Sequence, residues 1–97
     1  MSTADSEAEA QSLAQALVHH RLAACVQLSP IVSHYLWQGE PATSSEVLIL
    51  IKTTAAKVEK IASYLEANHS YDVPEIVEVP IISGSSAYLD WLGQAVM

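Results

Sequence analysis

An α+β fold built on an antiparallel sheet is predicted by three observations on this 97-residue chain. Apolar residues recur at helical spacing from Ala10 to Val18 and again from Val58 to Leu65. Runs with a two-residue alternation lie between and after those segments. The patterns succeed one another as α-β-β-α-β-α, and the short link between the first two strands calls for an antiparallel hairpin.

The first helix is predicted over 6–21. Ser6 followed by Glu9 forms a capping box, and Asp5, Glu7 and Glu9 put negative charge where a helix N-terminus attracts it. Ala10, Leu13, Ala14, Leu17 and Val18 make its apolar stripe, and His19, His20 and Arg21 complement its negative end. Cys25–Leu28 reads as a strand interrupted at Ser29-Pro30. It resumes as Ile31–Trp37, with Ser33, Tyr35 and Trp37 on one face and Val32, His34 and Leu36 on the other. Pro30 in such a run calls for an edge position or a bulge. Residues 38–45, with Gly39 and Pro41, are predicted as a connecting loop, and Glu46–Thr53 as an apolar strand of the same hairpin.

Thr53-Thr54 offers a cap for a second helix that would bury Val58, Ile61, Ala62 and Leu65. Pro74 fixes its own φ and pushes Val73 toward extended backbone, so that helix ends before it. Glu75–Ile82 alternates as a third strand, with Pro80 again marking an edge or bulge. Ser83–Ser86 breaks the strand and caps a last short helix carrying Tyr88, Leu89, Leu92 and Val96. One strand placed ahead of this order completes β-α-β-β-α-β, the split βαβ or ferredoxin-like arrangement, here with an extra C-terminal helix. Met1–Asp5 is short for a normal strand, so the first strand is expected to be a stub or missing. Residues 1–97 read as one domain whose helices cover one sheet face. The apolar side chains on the other face then call for a partner.

Composition narrows the function classes. The hydrophobic fraction is 51% against only 15% charged residues, so one small core leaves apolar surface over and an oligomer is expected. Four basic against eleven acidic residues give a formal charge of −7, which excludes the clustered cations that nucleic acid or an anionic membrane needs. Cys25 stands alone, which fits a reducing compartment. The amino terminus lacks the basic and apolar regions of a secretory signal. The longest purely apolar run, Val47–Ile51, falls far short of the roughly 20 residues a membrane span needs. A cytoplasmic location is the expectation.

Five segments together resemble the CutA family of divalent-cation tolerance proteins: Arg21–Val26, Ser33–Gly39, Glu46–Thr53, His69–Glu75 and Tyr88–Leu92. The resemblance runs from about Thr3 to the carboxyl end and omits the family's leading strand. It implies a ferredoxin-like subunit, a homotrimer whose sheets and extended strands pack across subunits, and a link to copper and other divalent cations. It also implies an architecture similar to the trimeric PII signalling proteins. Trp37, Lys52, His69, Tyr71 and Glu75 match the family's recurring polar and aromatic positions, and Cys25 matches the cysteine of its Ala-Ala-Cys segment. Two features of some members are absent: a cysteine near Ser2-Thr3, and a second histidine where this chain has Asn68.

The candidate metal ligands are His69 and Cys25, with Asp72 and Glu75 nearby in sequence, since imidazole and thiolate suit Cu²⁺ and Zn²⁺. No CxxC, HxxxH or Cys/His cluster accompanies them, so Cu²⁺ or another divalent cation is expected to bind weakly. The candidate ligand-binding residues are Trp37, Lys52, Tyr71 and Glu75. Lys52 would meet an anion or Glu75, and Trp37 would supply an apolar wall. No nucleophile–base signature and no glycine-rich phosphate loop occurs, so an enzyme is the weakest reading.

Overall fold

The computed structural model describes residues 1–97. Its elements are β1 (Ser2–Ala4), α1 (Glu7–His19), β2 (Cys25–Trp37), β3 (Glu40–Lys52), α2 (Val58–Asn68) and α3 (Ser86–Ala95), with a 3₁₀ turn over Ala55–Lys57 leading into α2. The sheet is antiparallel in the order β1-β3-β2. The stub expected at the amino terminus is therefore a real strand, only three residues long and buried throughout.

The hairpin β2–β3 is longer than the sequence pattern suggests. Gln38 and Gly39 both have positive φ, 51° and 82°, as in a two-residue type I′ turn. Trp37 and Glu40 close it, so the strands pair without a break from there to Cys25 and Lys52. Closure by a two-residue turn also fixes which pairs exchange backbone bonds: Trp37 with Glu40, then every second pair. Pro30, opposite Val47, and Pro41, opposite Leu36, fall on the intervening pairs. There a backbone N–H would point away from the partner strand, so neither proline costs the hairpin a bond. The expected break at Ser29-Pro30 and the loop over 38–45 are both replaced by continuous ladder. The edge position inferred from Pro30 holds, since β2 flanks the sheet.

The third predicted strand needs a different correction. Residues 75–82 carry no continuous ladder; a single antiparallel pair joins them to the sheet. Met1 donates to the Val77 carbonyl at 2.8 Å and Val77 donates to the Met1 carbonyl at 3.1 Å. No other backbone bond joins this segment to the sheet.

Helices α1 and α2 cover one sheet face. Ala4, Ala10, Leu13, Leu17, Ala23, Val47, Ile49, Ile61 and Leu65 form the core. Leu17, Ile49 and Leu65 are at most 1% exposed, and truncating such a leucine to alanine removes about 2–5 kcal/mol. Helix α1 starts as expected, with Ser6 Oγ accepting from the Glu9 N–H at 3.2 Å. It ends in a Schellman motif. Leu22 N–H reaches the Leu17 carbonyl at 2.9 Å and Arg21 N–H the Val18 carbonyl at 3.0 Å, with Arg21 at φ 57°.

The chain measures 45 × 26 × 21 Å with a radius of gyration of 14.3 Å. A compact chain of this length would give about 12.5 Å. The excess comes from the far half of the hairpin, where Val32, Leu36 and Trp37 are 62%, 74% and 64% exposed. No helix is long and apolar enough to cross a membrane.

Candidate functional site

His69 ends α2. Its backbone is extended (φ −86°, ψ 146°) and its N–H closes the helix on the Leu65 carbonyl. The imidazole then turns back on the sheet. Nδ1 accepts from the Tyr71 N–H at 3.0 Å, so Nε2 carries the proton and donates to the Thr3 carbonyl at 2.6 Å. Both ring nitrogens are thus committed to backbone groups, and the His69 and Tyr71 rings lie 4.8 Å apart.

Tyr71 reaches across to β3, where its hydroxyl donates to Glu46 Oε2 at 2.9 Å. Val47 and Ile49 face the helices, so alternation puts Glu46 on the opposite sheet face. Burial is the main cause that holds the Tyr71 phenol well above the ordinary tyrosine range. The hydrogen bond to Glu46 and the negative charges of Glu46, Asp5 and Glu9 add to it. Between them, Ser70 donates its N–H and Oγ–H to the two Glu9 oxygens at 2.9 and 3.0 Å. Glu9 therefore spends its carboxylate on Ser70, which leaves the reciprocal half of the expected capping box unmade. Residues 69–71 form a strap that ties the end of α2 to α1, β1 and β3.

The other candidate residues lie apart from this strap. Cys25, half-buried, stands opposite Lys52 at the far end of the hairpin. The Lys52 ammonium sits 5.7 Å from the Tyr88 ring centroid, a cation–π contact in place of the expected pairing with Glu75. Glu75 and Asp72 are exposed on the segment after the strap. Trp37 occupies the hairpin tip opposite Glu40. His69 and Tyr71 are the one pair of candidates that the fold brings together, and Glu46, Glu9 and Ser70 are the partners that sequence reading missed. The single available signal for them was Glu46, a carboxylate opening an otherwise apolar run.

A divalent cation finds no dedicated site within one chain. No three side chains among His, Cys, Asp and Glu converge to hold an ion. The Nδ1 lone pair of His69 is already taken by Tyr71, and a metal there would have to displace that bond. The donor set on a single subunit does not fit a closed metal centre.

The family model described as CutA1 divalent ion tolerance protein matches residues 1–95. A divalent-cation tolerance protein CutA of Thermus thermophilus is 48% identical over 91 residues, 93% of this chain and 88% of that protein. Protein CutA of Homo sapiens is 40% identical over 93 residues, 95% of this chain but 52% of its own length. The chain thus spans about half the length of such longer relatives. Among solved structures, the Thermus thermophilus protein superposes with a TM-score of 0.95 at 45% identity, covering 99% of this chain and 94% of that one. A protein from Archaeoglobus fulgidus described as a periplasmic divalent cation tolerance protein CutA gives 0.96 at 35% identity, with 99% and 94% covered. With the family model matched over residues 1–95 and the whole fold superposing on solved CutA structures, this chain belongs to the CutA1 divalent ion tolerance family.

Proposed function

We propose that the chain works as a homotrimeric binding or signalling module in divalent-cation tolerance, copper included, and not as an enzyme. The observation that carries this reading is the far half of the hairpin. Val32, Tyr35, Leu36 and Trp37 project from the body of the subunit while 43% to 74% exposed. Apolar surface of that kind on a projecting two-stranded arm needs other copies to cover it. The strap argues against catalysis: His69 has no free nitrogen with which to move a proton, and the Tyr71 phenol is held neutral. Cation contact on this reading is weak and diffuse, drawn by the −7 charge, or is completed by donors from neighbouring subunits. Half-buried Cys25 fits a reducing, cytoplasmic setting.

Calorimetry of the purified protein with Cu²⁺, repeated on His69→Ala and Cys25→Ala, tests the cation part. Diffuse binding predicts a weak affinity that neither substitution changes; a clear loss in either variant would place that residue in a site completed by donors from neighbouring subunits. A second reading, a PII-like module for a small anion, is favoured by Lys52, whose ammonium meets a ring instead of a carboxylate. A thermal-shift screen of anionic metabolites separates the two, because selective binding raises the melting temperature by mass action.

A further inference from the structure

We infer that His34 makes assembly of this chain sensitive to pH: copies hold together while its imidazole is neutral and loosen when it takes a proton. The inference rests on the proposed covering of the projecting arm by other copies, and names what regulates that contact. His34 stands on β2 between Val32 and Leu36, and alternation turns all three to one side of the arm. Val32 and Leu36 are 62% and 74% exposed and lie about 7 Å before and after His34 along the strand. Any surface that buries both must pass over the imidazole between them.

That side of the arm offers a charge no partner. Across the ladder Val32, His34 and Leu36 meet Ser45, Thr43 and Pro41, none of them ionisable. The carboxylates of β3, Glu40 and Glu46, pair with Trp37 and Ile31 and so lie on the opposite face. The Thr43 hydroxyl stands 3.2 Å from His34 Nδ1. It can donate to a neutral imidazole or accept from a charged one, so this bond tolerates both states. Removal of water is what discriminates. A neutral imidazole enters a contact with one ring N–H to satisfy, whereas an imidazolium sealed there keeps an unpaired charge. The other histidines stand elsewhere, His19 and His20 at the end of α1 and His69 in the strap.

The covered form decides the sign. An imidazole free in water takes its proton at about pH 6.5. The assembled form excludes that proton and the separated form binds it, so association weakens as pH falls. Between about pH 7.5 and about pH 5.5, full exclusion weakens association about tenfold for each His34 covered, and about a thousandfold for three.

The test is sedimentation equilibrium of the full chain over a dilution series at about pH 7.5 and about pH 5.5. It is run beside His34→Gln, which keeps a polar group near Thr43 and cannot become charged. The other histidines and the carboxylates titrate alike in both proteins, so the difference between them isolates His34. The dissociation constant of the wild type should rise by about tenfold or more at the lower pH, and that of the variant by much less. Where the assembly holds at every dilution, the melting temperature reads the same linkage, and its fall on acidification should be larger in the wild type. Equal pH dependence in the two proteins overturns the inference and leaves the shielding of the arm by other copies standing. So does tighter assembly at the lower pH, which would mean that a neighbouring copy brings a carboxylate to His34. A wild type that is monomeric at neutral pH overturns both.

Discussion

At Tyr71 a phenol donates to the Glu46 carboxylate while Asp5 and Glu9 add negative charge nearby. Folding therefore favours the neutral phenol, and its pKa rises above the unfolded value. The sign follows: the stabilisation is complete below about pH 10 and is lost as pH climbs through the raised folded value. Tyr71→Phe should lower stability by about 1 kcal/mol in urea titrations at neutral pH. The gap between wild type and variant should stay constant up to about pH 9 and narrow above pH 10. A gap that widens in alkali would contradict this account of the hydrogen bond. Ser2 makes the opposite case. It is wholly buried, its hydroxyl has no partner, and its neighbour across the ladder is the core residue Ile49. Ser2→Ala should raise the urea midpoint, by about 1 kcal/mol in stability, because it removes an unsatisfied polar group; a lowered midpoint would show that the hydroxyl is satisfied in solution.

The elements show where sequence pattern carries information and where it runs out. Helix α1 was legible to within two residues at its ends, because Ser6 caps it and its stripe repeats at helical spacing. Its exit was not read as a Schellman motif, since the position that favours glycine holds Arg21 at φ 57°. Arg21→Gly should therefore stabilise the protein by about 0.5–1 kcal/mol, measured by thermal or urea unfolding. The hairpin was misread for a related reason. Pro30 and Pro41 look like breakers, yet the phase set by the Gln38-Gly39 turn puts both on positions that need no N–H. Periodicity does not reveal that phase; it emerges once the turn residues are seen to sit at positive φ. Residues 75–82 have the alternation of a strand, but a strand needs a neighbour, and β1 supplies one through Met1 alone. Within the site, His69 and Tyr71 could be picked from sequence as a cluster beside Pro74. Thr3 and Glu46, which bond to these two, and Glu9, which holds Ser70 between them, are 25 to 66 positions away, too remote for local pattern to find.

Across the whole molecule, the body that α1 and α2 cover is small and the hairpin projects beyond it, so much of the apolar content lies outside the single-chain core. Leu36→Asp and Trp37→Asp, both at exposed positions near the hairpin tip, should leave helix content intact and shift the assembly toward monomer. The same substitutions on an isolated functional subunit would change neither mass nor fold. Copies of the chain shielding one another's projecting strands is the claim from which the proposed module follows. Sedimentation equilibrium over a wide dilution range tests it most directly. A mass three times the 10.5 kDa of one chain, held down to micromolar concentration or below, is the predicted result. A single species of 10.5 kDa at every concentration would contradict it.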